Sequence, residues 1–212
     1  ICILSLPLWK NAENGEAQDV EETAGIREAV KVHGVILTLI AFFAYCAGEM
    51  TGFLWTSSYF AGTKTGMSEG LIASFGSLIF GGLMLGRLIS GFISNRLGDR
   101  MLIRLGIALE FVGIILIALP LQGYIAAAVG FLITGTGMGP VYPAIQHMAP
   151  ANFGRKYSAA VIGLQMASAY VGSMFMPMLF GKLQEAVGIW IMPLYLAVFA
   201  FLNISMLEIA YR

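Results

Sequence analysis

Glu49 is the residue of this sequence with the most chemistry to offer. It is the one carboxyl in the apolar run AYCAGEMTGFLWTSSYF, Ala44 to Phe60. A charge near the centre of a bilayer costs at least ~2.5 to 3.5 kcal/mol on insertion scales, so it is rarely left facing lipid. Tyr45, Glu49, Gly52 and Thr56 recur at three- or four-residue steps and share one helix face, with Trp55 beside them. A carboxyl in low dielectric favours its neutral form; it can hold a proton near neutral pH and release it when water or a solute changes its surroundings. Two roles fit Glu49, a proton carrier or a structural carboxyl hydrogen-bonded to a neighbouring helix. Counted from His33 it lies ~24 Å along the helix, beyond mid-depth on the outer side.

Arg87 and Glu110 are the other ionised types set deep in apolar runs. Across an antiparallel hairpin turning near Asn95 to Arg100, both fall ~12 to 15 Å from the same membrane face. Equal depth and opposite charge predict a buried ion pair between them, favoured over a gating role or a substrate contact. Tyr142 and Gln146 stand one turn apart; Gln165, Ser168 and Gly172 share a face; Asn203 is polar within the last apolar run. Amides and rings around a wet cavity suit polyhydroxylated solutes, because amides hydrogen-bond hydroxyls and rings stack on C–H faces. Each of these groups alone also fits a helix–helix hydrogen bond. His147 is expected at the interface. No metal-spaced Cys or His cluster, phosphate loop or nucleophile elbow occurs, so neither cofactor nor enzymatic activity is expected.

The elements that must position these groups follow from composition. Of 212 residues, 58% are hydrophobic and 11% charged, with 26 glycines. Mean hydropathy is +0.81. That leaves too little polar surface for a water-soluble globule and implies an integral membrane protein embedded in a lipid bilayer. The formal net charge of zero gives no nucleic-acid surface. Cys2 and Cys46 sit in apolar segments and build no disulfide framework.

Six apolar segments, His33 to Phe60, Ser68 to Ser94, Met101 to Leu119, Tyr124 to Met148, Lys156 to Phe180 and Ile189 to Tyr211, approach or exceed the ~20 residues needed to cross ~30 Å of hydrocarbon. None alternates like a barrel strand, so the expected fold is all-α, a polytopic bundle of six transmembrane helices over residues 32–212. Residues 10–31 read as a mixed-charge linker, helical toward Val30. Residues 1–9, ICILSLPLW, read as the tail of a preceding membrane helix, which makes the chain part of a longer protein. Lys10, Arg27, Lys31, Arg96, Arg100, Arg104, Arg155, Lys156 and Arg212 fall on one side of such a bundle, and Lys64 and Lys182 on the other. That asymmetry places both ends of the chain and the Arg96 loop in the cytoplasm of a cell (inner) membrane protein.

Small residues recur at four-residue spacing, Gly48 and Gly52, Gly82 and Gly86, Gly135 and Gly139, and Ala159, Gly163 and Ala167, as close helix packing in lipid requires. Gly135, Gly137, Gly139, Pro140 and Pro143 crowd one span, which is expected to bend and line a cavity.

GFISNRLGDR, Gly91 to Arg100, resembles the loop motif of the major facilitator superfamily between the second and third helix of each six-helix half. Asn95 stands where the family usually has Asp, and Asp99 where a basic residue is common. The polar linker, the Ile1 to Trp9 tail and GTGMGPVYPAIQHMAP agree with the end of helix six, the central loop and helix ten. Ala44 to Phe60 resembles the seventh helix of fucose-permease-like proton-coupled sugar symporters. The resemblance implies the C-terminal half of a secondary transporter, with a missing N-terminal six-helix half as partner and a small-molecule substrate moved by alternating access. It implies a gating loop of Gly91, Asn95, Arg96, Gly98 and Arg100. Glu49, Tyr45, Trp55, Tyr142, Gln146 and Gln165 are then the expected substrate and proton pathway. The alternative is a self-sufficient six-helix oligomeric channel or structural membrane protein, with a membrane enzyme a distant third.

Overall fold

The structure is a computed structural model that describes residues 25–64, 67–121 and 123–211. The expected tail of a preceding helix and most of the linker lie outside the described residues. Among the described residues, six helical units are long and apolar enough to cross a membrane. A short helix α1 (Ile26–Ala29) leads into α2 (Val35–Thr63), the first span. The second span is α3 (Glu69–Phe75) and α4 (Leu78–Leu97), the third α5 (Asp99–Ala118), and the fourth α6 (Ile125–Met138), α7 (Val141–His147) and α8 (Ala149–Phe153). The fifth is α9 (Arg155–Val187), and a 3-10 turn at Ile189–Ile191 opens α10 (Met192–Ala210), the sixth. Among the described residues the regular structure is all helix, as the apolar runs predict.

The helices outrun the apolar segments. α2 continues to Thr63 and α9 to Val187, because Thr63, Lys182, Gln184 and Glu185 keep the backbone helical after the apolar stretch ends. Glu49 therefore lies 14 residues from either end of α2 (49 − 35 and 63 − 49), at mid-helix. The reversal between α4 and α5 is a single residue, Gly98, whose φ of 73° is open to glycine at little cost.

Packing departs from the order of the chain. α4 and α5 follow one another but touch each other little; α6 lies between them and packs tightly on both. Glycine makes this possible. A Cβ at Gly82 or Gly86 of α4 would overlap the backbone carbonyls of Leu132 and Thr136 in α6, and one at Gly106 or Gly113 of α5 would overlap Gly137 or Thr134. α2 runs through the middle, against α9 on one flank and α10 on the other, and α10 closes onto α5. Ser168 Oγ donates to Leu39 O at 2.7 Å and Asn203 Nδ2 to Ala41 O at 2.7 Å, so two polar side chains of the apolar runs act as helix–helix ties. Toward the opposite end, Tyr59 donates to Ile117 O at 2.9 Å within a cluster of Phe60, Phe75, Tyr124 and Phe131. The stripe of Ala159, Gly163 and Ala167 is exposed, and Gly163 has open space where a Cβ would stand, so among the described residues this stripe is not a packing face.

Candidate functional site

The fourth span is broken where its glycines and prolines crowd. α6 stops at Met138 and α7 begins at Val141. Pro140 and Pro143 have no N–H to donate, so the hydrogen-bond ladder of the span is interrupted there. Carbonyls at such a break are open to side chains, and Tyr45 of α2 donates to Met138 O at 3.1 Å. The break also sets Tyr142 against α2, its ring centroid 4.9 Å from that of Phe42 and 6.1 Å from that of Tyr45.

Glu49 and Arg87 meet beside these rings. Arg87 Nη2 lies 3.6 Å from Glu49 Oε1, and its guanidinium carbon is 5.9 Å from the centre of the Tyr142 ring. Tyr45, one turn before Glu49, also neighbours the carboxyl. The Arg87 side chain is 48% exposed and that of Glu49 is 21% exposed. A carboxylate held by one guanidinium, over an aromatic face and open on one side, can exchange its partner for a proton or for a solute hydroxyl.

This arrangement corrects the expected Arg87–Glu110 pair. Glu110 is only 4% exposed, and among the described residues it forms no ion pair. The cause is α6: a Cβ at Gly137 would press on the backbone of Glu110, and one at Gly139 on the backbone of Arg87. The two residues occupy opposite sides of the same broken helix. The hairpin geometry could not show a third helix inserted between its arms.

Two hollows flank the Glu49–Arg87 pair. The larger, 640 Å³, runs from Arg87 and Tyr142 past Ser90, Gly91 and Ser94 to Asn95, Asp99 and His147. The smaller, 130 Å³, lies against Glu49, Met50, Phe53, Ile79 and Met138. At the mouth of the larger one His147 Nδ1 and Asp99 Oδ2 are 2.7 Å apart, joining the end of α7 to the start of α5. The residues are 48 positions apart. Nothing in the sequence pattern signals that contact.

The remaining candidates divide. Tyr142 donates to Met166 Sδ at 3.3 Å, and Gln146 Nε2 lies 3.9 Å from the same sulfur, so both face α9, and of the two only Tyr142 also adjoins the pair. Trp55 is turned to α9, where Nε1 donates to Pro177 O at 3.1 Å and the ring meets Phe180 at 5.5 Å. Gly52 abuts Ile79, and Thr56 donates to Gly52 O at 2.5 Å, so the lower half of the expected α2 face is packing. Gln165 is fully buried, neither amide atom has a partner among the described residues, and it lines neither hollow. Gly91 and Asn95 of the loop line the larger hollow, whereas Arg96 is exposed. Arg100 leaves this group; its guanidinium carbon sits 5.4 Å from the Tyr211 ring, against α10.

Comparison with known proteins bears on the whole arrangement. A search of curated proteins finds no match. Among solved structures the chain is similar to an alanine variant of the E. coli fucose:proton symporter FucP, at 14% identity and a TM-score of 0.75, covering 92% of this chain and 48% of that one. A structure of FucP in the outward conformation gives a TM-score of 0.78 at 14% identity, covering 92% of this chain and 47% of that one. The chain thus spans about half the length of these relatives, and at such identity the likeness is one of fold. The family model of the Major Facilitator Superfamily matches residues 7–210. Six apolar spans in this order, a broken fourth span and a match over nearly the whole chain lead to one conclusion: the chain belongs to the major facilitator superfamily.

Proposed function

We propose that this chain is the C-terminal half of a proton-coupled secondary transporter that moves a small polar solute, a sugar by class, through alternating access. The observation that carries the reading is the Glu49–Arg87 pair at mid-span, beside Tyr142 and between two hollows. Protonation of Glu49 removes the charge that holds Arg87. The freed guanidinium then has the aromatic face of Tyr142 and the larger hollow within reach, where it can bind solute hydroxyls. Deprotonation restores the pair and releases the solute. One titration thereby links solute occupancy to a proton, as coupled transport requires.

The partner in this reading is an N-terminal six-helix half. The second and fifth spans are the least buried, and they expose Arg87, Tyr170 and the small stripe Ala159, Gly163 and Ala167. Small exposed residues on a membrane helix are what close approach of another helix needs. The end carrying Arg96, Arg100, Arg155 and Lys156 is the cytoplasmic one, by its basic excess. The likeness to FucP, named as a fucose:proton symporter, supports the solute class. The test is uptake of a panel of labelled sugars by the intact protein in vesicles holding a pH gradient. Accumulation of one of them, abolished by a protonophore, is the expected result. Ion conductance without solute accumulation would favour the channel reading and overturn this one.

A further inference from the structure

A second polar site lies outside the transport path, at the basic end of the bundle between α5 and α10. A hollow of 310 Å³ there is lined by Arg100, Arg104, Glu208, Tyr211 and the apolar Ile103, Ile204 and Leu207. Arg104 and Glu208 are bound to each other by two hydrogen bonds, Nε to Oε1 at 2.5 Å and Nη2 to Oε2 at 2.7 Å. Arg100 is different. Among the described residues it forms no ion pair; its guanidinium lies over the Tyr211 ring, 5.4 Å from the centroid. The aromatic face orients the guanidinium and leaves its N–H fork without an anion.

The surroundings say what kind of anion reaches this place. Along α5 the exposed residues Met101, Leu105, Val112 and Ile115 are all apolar, and so are Leu194, Val198, Phe201 and Ile209 along α10. Both flanks therefore suit hydrocarbon, while Arg100 and Arg104 stand in the first two turns of α5, at its basic end. Ile103, Ile204 and Leu207 give the hollow its apolar lining, and Met101 and Ile209 are exposed apolar residues next to Arg100 and Glu208 in sequence. A planar cation at headgroup depth, an internally neutralised Arg–carboxylate pair beside it and an apolar approach from the membrane together fit one ligand chemistry, a phosphate ester attached to acyl chains.

We infer that this hollow binds the headgroup phosphate of an anionic phospholipid, with Arg100 as its chief ligand and Tyr211 as the platform that aims it. Arg104 and Glu208 shape the wall and contribute little net charge. The Asp99 carboxyl, next to Arg100, is paired with His147 at 2.7 Å and lines the larger hollow rather than this one. A lipid held here bridges the third and sixth spans at their basic ends.

The test is lipid retention by the intact purified protein, read by native mass spectrometry after exchange into mixed micelles of phosphatidylglycerol and phosphatidylcholine. The unmodified protein should retain phosphatidylglycerol in preference to phosphatidylcholine. Arg100→Gln should weaken that retention about five-fold, the effect of one interfacial cation on an anionic lipid. Lys156→Gln is the control: Lys156 lies at the same end and over an aromatic ring, Tyr157, at 5.8 Å, yet lines no such hollow. It should leave retention unchanged. Equal losses in the two variants would mean plain attraction to a basic surface and would overturn the assigned site. Displacement of the lipid by excess inorganic phosphate would identify a free-phosphate site instead. Absence of any preference on the unmodified protein would refute the inference without recourse to a variant.

Discussion

At the scale of single residues, Glu49, Arg87 and Tyr142 were legible because a bilayer makes polar groups in apolar runs conspicuous. Their partners were not. Depth counting paired Arg87 with Glu110 and set Glu49 deeper, whereas Arg87 meets Glu49 and α6 lies between Arg87 and Glu110, which no spacing within one chain segment encodes. The pairing makes a specific prediction. In a double-mutant cycle on the purified protein, Glu49→Gln and Arg87→Gln should couple by roughly 1 kcal/mol, a modest value because the pair is partly exposed. Arg87→Gln and Glu110→Gln should add within about 0.5 kcal/mol, as residues without a shared contact do. Coupling of the second pair instead of the first, measured by unfolding, would reverse the assignment. Gln165 shows the opposite limit: its amide was picked out as a pathway residue, yet it is buried away from both hollows.

At the scale of helices, the glycine pattern predicted close packing and the broken fourth span, but not which glycines meet backbone. Gly86 and Gly81 belong to one helix and differ completely in surroundings. A Cβ at Gly86 would collide with the Thr136 carbonyl, whereas at Gly81 nothing lies within 4 Å. Gly86→Val should therefore destabilise the protein by ~1 to 3 kcal/mol or more through overpacking. Gly81→Ala should be neutral or stabilising by up to ~1 kcal/mol, since alanine is the better helix former. Thermal melting of the two variants decides; equal losses would place α6 elsewhere. The His147–Asp99 contact ties α7 to α5 at the mouth of the larger hollow. Asp99→Asn should loosen that tie and raise the rate at which a cysteine at Ser94, inside the mouth, is labelled by a polar thiol reagent. Unchanged labelling would mean that the contact does not restrict the opening.

At the scale of the whole molecule, six spans were read correctly in number and order, because length and apolarity alone set what can cross a bilayer. Their ends were misread by a few residues, since helices continue into polar Thr63, Lys182 and Glu185, which hydropathy does not credit. The arrangement α4–α6–α5 could not be read, being a product of glycine contacts among three helices. Described ends at Gly25 and Tyr211 lie at the same end as the Arg96 loop, so single cysteines at Asn95 and Arg212 should both label from the cytoplasmic side. Labelling of either from outside would invert the proposed orientation. The central claim is that Glu49 carries the coupled proton, and solute-driven proton movement tests it most directly. When a transported sugar is added to weakly buffered vesicles holding the intact protein, the medium outside should turn alkaline. With Glu49→Gln, which stays neutral, the same sugar should still bind and exchange but the alkaline shift should vanish. A full alkaline shift in that variant would contradict the account and remove Glu49 from the proton path.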